Sequence, residues 1–79
     1  MRVLKELHKS GCRITLFHWN NKYIIKVEQD NLEQIFKVDQ FDLAGDEAAL
    51  AILDELFMDQ ANTRFQAMRQ SIGEAIERG

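Results

Sequence analysis

The 79-residue chain contains no proline, one cysteine, one tryptophan and one tyrosine, and none of its apolar stretches is long. Each scarcity excludes something. With Cys12 alone, no disulfide can form within the chain, and one Cys with two His cannot supply a four-ligand structural zinc site. No segment has the 18 or so consecutive apolar residues that a helix needs to cross a bilayer. The start, Met1-Arg2-Val3-Leu4-Lys5-Glu6-Leu7, alternates charged with apolar residues, unlike a secretory signal. A reducing, cytoplasmic setting is the expectation. The four glycines stand apart at positions 11, 45, 73 and 79, so there is no glycine-rich phosphate loop. His-Glu-x-x-His, Cys-x-x-Cys and Gly-x-Ser-x-Gly are missing too. No catalytic residue, cofactor or metal ligand is therefore expected, and the chain reads as a non-enzyme.

Small size adds a demand. A single domain of residues 1–79 buries roughly 60–65% of the surface its unfolded chain exposes, which leaves stability marginal. Disulfides, metals and oligomerisation are the usual supplements. With the first two set aside, association with another chain is the expected one.

Charge is divided unevenly. Residues 1–38 carry seven Lys/Arg against four acids, and residues 39–79 carry three Arg against nine, for a net −3. Both halves read first as solvated surfaces.

The pattern predicts an α+β fold: a four-stranded antiparallel meander over residues 2–39 followed by one C-terminal helix over 46–78. Cys12–Trp19 and Lys22–Gln29 are strand-like runs separated by Asn20-Asn21, residues suited to a two-residue turn. That turn pairs positions whose numbers sum to 41. It places His18, Tyr23, Leu16, Ile25, Ile14 and Val27 on one face, and Trp19, Phe17, Ile24 and Lys26 on the other, with Arg13 opposite Glu28. A turn at Asp30-Asn31 leads into Leu32–Asp39, which puts Gln34, Phe36 and Val38 on the core face and sets Glu28 against Glu33. A first strand at 2–9, turning at Ser10-Gly11, would set Leu7 against Ile14 and Val3 against His18. A helical turn fits Val3, Leu4 and Leu7 as well.

Beyond Val38, Phe41 and Leu43 are expected to tuck over the core's edge, and Asp46 to cap the helix. A 46–78 helix would measure roughly 48 Å at 1.5 Å per residue, against about 27 Å for an eight-residue strand. Its apolar arc is wide over residues 48–58 and narrows to Ala61, Phe65, Met68, Ile72 and Ile76. The wide part suits a sheet, and the narrow part suits another helix.

Two contact surfaces emerge. Phe65, Met68, Ile72 and Ile76 form a candidate seam for a homodimer. Phe17, Trp19, Ile24 and Ile35 form an apolar patch on the sheet's outer face, interleaved with Arg13, Lys22, Lys26 and Lys37. That patch suits a protein interface, a second packing layer, or a stacking platform for single-stranded nucleic acid with Trp19 and Phe17 as the stacking residues. The strand order resembles that of four-strands-plus-helix domains such as the Whirly-type single-stranded DNA binders. That resemblance of fold, with no motif behind it, implies nucleic acid and oligomers as partners to consider. Cys12 and His18 share the core face about 20 Å apart, too far to act as nucleophile and base. His18 is expected to bond through Tyr23 or backbone, and Asp54, Glu55 and Asp59 to form an acidic, solvated helix face.

Overall fold

In the computed structural model, which describes residues 1–79, four strands of eight residues each are joined by two-residue turns. They are β1 (Arg2–Lys9), β2 (Cys12–Trp19), β3 (Lys22–Gln29) and β4 (Leu32–Asp39), in the order β1-β2-β3-β4, all antiparallel. The turn residues Ser10, Gly11, Asn20, Asn21 and Asp30 all have φ between 53° and 78°. This left-handed backbone matches the twist of tight hairpins and is what Gly, Asn and Asp tolerate best. The ladder follows the expected register, with Ile14 opposite Val27, Leu16 opposite Ile25 and Tyr23 opposite Val38. The Glu28–Glu33 juxtaposition is real and is relieved by Lys26, whose Nζ lies 3.6 Å from Glu28 and 3.7 Å from Glu33.

β1 is a strand, but its first residues depart from the expected facing. The register shifts between Val3 and Lys5, so Arg2, not Val3, lies opposite His18, and Val3 lies opposite Phe17 on the outer face. The irregularity spares Leu4, which packs on the core instead.

The sheet is followed by a 3-10 turn, Gln40–Asp42, and two helices, α1 (Asp46–Ala51) and α2 (Glu55–Arg78). The expected single helix over 46–78 is thus broken at residues 52–54. The cause is a phase conflict. At about 100° per residue, the buried pair Ala49 and Leu53 is centred more than 100° around a continuous helix from the centre of Met58, Ala61 and Phe65. No straight rod can turn both sets to one sheet. The chain breaks, and the wide arc of residues 48–58 resolves into two helices meeting the core at different angles. Asp54 caps the second, accepting from the Phe57 N–H at 2.8 Å, and Lys9 Nζ donates to the Leu53 carbonyl at 2.9 Å. Asp54 is therefore a cap rather than part of a solvated acidic face. Asp46 is not a cap either. Gly45 precedes the first helical turn at φ 117°, a conformation that requires glycine.

The core lies between the sheet and the helices: Cys12, Ile14, Leu16, Tyr23, Ile25 and Val27 from the sheet, Ala49, Leu53, Met58 and Phe65 from the helices. Leu43 and Phe36 pack against it, whereas Phe41, expected over its edge, is 83% exposed. Every buried side-chain polar atom has a hydrogen-bond partner. Gln34, the one buried polar residue, donates to the Ala61 carbonyl at 2.9 Å and accepts from Arg64 Nε at 2.8 Å, tying α2 to β4.

Candidate functional site: two uncovered surfaces

Helix α2 has 24 residues and so runs for roughly 36 Å, more than the sheet's length beneath it. Asn62 and Arg69 mark where it leaves the sheet. Asn62 Nδ2 donates to the Ser10 carbonyl at 3.1 Å, and Gln29 Nε2 donates to Asn62 Oδ1 at 2.9 Å. Arg69 then donates to Gln29 Oε1 at 2.6 Å. Both sheet partners, Ser10 and Gln29, belong to the edge where the β1–β2 and β3–β4 turns lie. From Arg69 to Gly79 every residue is exposed.

The expected seam divides here. Phe65 is 0% exposed and belongs to the core, so it cannot contact another chain in the folded state. Met68 is half-buried against the same cluster. Only Ile72 and Ile76 are displayed, at 52% and 70% exposure. Beside them Leu32, Ala67, Met68, Ser71, Ile72 and Ala75 line an open groove of about 500 Å³, five of the six hydrophobic. Gly73 needs no explanation inside the chain, since a Cβ there would meet nothing within 4 Å.

The second surface is the outer sheet face, which no helix covers. Trp19 and Ile35 are exposed, at 55% and 53%, and Phe17 is half-buried. Ile24, between Phe17 and Lys37 in the ladder, is only 5% exposed, so it is a filled centre rather than a contact residue. The cations expected to meet phosphate are largely engaged. Arg13 is 3.2 Å from Glu6, and Lys26 bridges Glu28 and Glu33, leaving Lys22 and Lys37 without an ion pair. The four cations Arg13, Lys22, Lys26 and Lys37 share this face with four acids, Glu6, Glu28, Glu33 and Asp39. The face is electrically neutral as a whole.

Sequence inspection did not foresee the polar cluster at the Asn20-Asn21 end. Tyr23 donates its hydroxyl to Asp46 Oδ1 at 2.8 Å, and Arg2 Nη1 reaches Asp46 Oδ2 at 3.2 Å. The Tyr23 hydroxyl and the Arg2 guanidinium hold the Asp46 carboxyl below the usual carboxylate range. The same hydrogen bond to Asp46 raises Tyr23 above the usual phenol value. His18 sits edge-on to the Tyr23 ring with centroids 5.1 Å apart, but its Nε2 bonds to Gln40 Oε1 at 2.8 Å rather than to Tyr23. The arrangement fastens α1 and the chain's start to the sheet. At the opposite end, burial raises the Cys12 thiol while a Gln29 hydrogen bond partly offsets it, so the sulfur is held as a thiol beside Asn62 Oδ1 at 3.4 Å. No three His, Cys, Asp or Glu side chains are grouped to hold a metal ion. None of the helices is long and apolar enough to cross a membrane.

No protein-family model, no curated protein and no solved structure matches this chain.

Proposed function

We propose that this protein is a non-enzymatic interaction module that self-associates through the projecting end of α2. One observation carries the reading: α2 continues for more than two turns beyond its last contact with the sheet, with Ile72 and Ile76 turned outward beside the groove at Leu32 and Met68. A helix end this long gains nothing from its own sheet, and isolated helical turns are marginal in water. A second α2 laid along the groove would cover both isoleucines, with Ala67, Ser71 and Ala75 permitting close approach.

The test is molar mass in solution by light scattering over a concentration series, with Ile72→Gln/Ile76→Gln as the variant. Both positions are exposed, so the variant keeps its fold and is expected to halve the mass. A wild-type monomer at tens of micromolar would remove the proposal. The nucleic-acid alternative is the weaker one, because phosphate affinity scales with uncompensated cations and the outer face has as many acids as bases.

A further inference from the structure

The outer sheet face has a feature that neutrality alone does not describe: in two of its four cross-strand rows the charges have opposite signs on the two sides of the line between β2 and β3. The cross-strand rows make this explicit. One terminal row reads His8, Arg13, Glu28, Glu33 from β1 to β4, with the cation Arg13 on the left and two acids on the right. The next reads Glu6, Thr15, Lys26, Ile35, with the signs reversed. The third reads Val3, Phe17, Ile24, Lys37, and the last includes Trp19, Lys22 and Asp39.

A two-fold axis lying along the strands maps the left half of each row onto the right half of a second copy. Arg13 of one chain then stands over Glu28 of the other, Phe17 over Ile24, and Trp19 over Lys22. The last is a cation–π arrangement, and the half-buried Phe17 stands over the filled part of the face at Ile24. A two-fold running across the strands also gives favourable pairs, Glu28 over Lys22 and Arg13 over Trp19, but it sets Glu33 over Asp39. Only the axis along the strands opposes no like charges, the condition a self-complementary isologous contact has to meet.

From this we infer that the open sheet face is a homodimer interface in which two copies pack face to face about an axis parallel to β2 and β3. The size is adequate. Four strands at about 4.8 Å spacing and about 27 Å length present on the order of 500 Å² per chain, or about 1,000 Å² for the pair, the threshold for a specific contact. The interface lies on the side of the sheet opposite the helices, so it is separate from the α2 contact. Chains that use both form assemblies larger than dimers.

The experiment starts from full-length chains carrying Ile72→Gln/Ile76→Gln, which disables the α2 contact. Molar mass is measured by light scattering, with circular dichroism to verify folding and Trp19 emission to report burial. This background is expected to be a dimer, smaller than the wild-type assembly, with blue-shifted emission that moves red on dilution. In the same background Arg13→Glu alone and Glu28→Arg alone are each expected to be monomers. Mixed one to one, they are expected to form a heterodimer, because each restores the opposite sign across the axis. Within each chain the Arg13–Glu28 pair stays broken in the mixture, so a purely intramolecular role would not produce that recovery. A monomeric background chain, or a mixture that stays monomeric, overturns the inference. The two readings fail separately. If wild type and the Ile72/Ile76 variant are both dimers, the α2 proposal falls and this one stands. If wild type is a dimer and the variant a monomer, the reverse holds.

Discussion

Phe65 and Ile72 lie seven residues apart on one helical stripe, and the structure assigns them opposite roles. Phe65→Ala removes a ring that is 0% exposed among Cys12, Ile14, Val27 and Met58. Truncations of this kind cost about 3–5 kcal/mol, from lost transfer energy and the cavity left behind. A chain of this length has about 4–12 kcal/mol of total stability. The variant should therefore lose about a quarter of it or more. With a urea slope near 1 kcal/mol per molar for so small a domain, the midpoint should fall by about 3 M or more. Ile72→Ala, at an exposed position, should change the unfolding free energy by less than about 0.5 kcal/mol in dilute solution. Its effect should instead grow with protein concentration, since association adds to the apparent stability of whatever it binds. The assay is urea unfolding followed by Trp19 fluorescence at a low and a high protein concentration. If Phe65→Ala lost under 1 kcal/mol, or Ile72→Ala lost as much as Phe65→Ala when dilute, the division of the stripe at Met68 would be refuted.

Two further outcomes test the joints of the fold. Tyr23→Phe removes the hydrogen bond that lowers Asp46 and raises Tyr23. A lowered carboxylate stabilises the fold above its ordinary value, and that contribution is lost as pH falls through the folded value. A raised phenol contributes below its ordinary value of about 10, and the contribution is lost as pH rises beyond it. The stability gap between wild type and Tyr23→Phe should thus be flat from about pH 5 to 9 and narrow on either side. A gap that ignores pH in unfolding titrations would contradict the link. Asp54→Ala should cost about 1 kcal/mol, through the orphaned Phe57 N–H. A loss within error in the same titration would mean that the Lys9–Leu53 bond, not the cap, holds the break.

Much of the meander was legible because strand facing repeats every two residues and the turns are two residues long. Asn20-Asn21 and Asp30-Asn31 each specify a register, and the Arg13–Glu28 pairing agrees with the first. Val3 was misplaced for a corresponding reason: the irregularity at Leu4 adds one residue, and one residue reverses the face. The helical half was harder. Asp54-Glu55 is a legible start signal, yet inside an unbroken apolar run it looks like surface charge. Phe65 and Ile72 differ in nothing the sequence displays. Periodicity shows which side of a helix is apolar, and it does not show where the sheet beneath it ends.

On the outer face, the identities of Arg13, Trp19, Lys22, Lys26 and Lys37 suggested a cationic aromatic platform. The acids that neutralise it come from three strands, and the balance exists only once β1 and β4 are laid beside the central hairpin. What the sequence by itself determined is local: strand facing, turn positions, the change from a period of two to one near 3.6, and the absence of ligand-bearing motifs. Tertiary structure alone decided the break before Asp54, the burial of Phe65, the exposure of Ile72 and Ile76, and the balance of charge on the open face. The physical reason is common to all four. Each depends on the relative placement of elements distant in the chain, and that placement is set by which surfaces can be covered together in three dimensions.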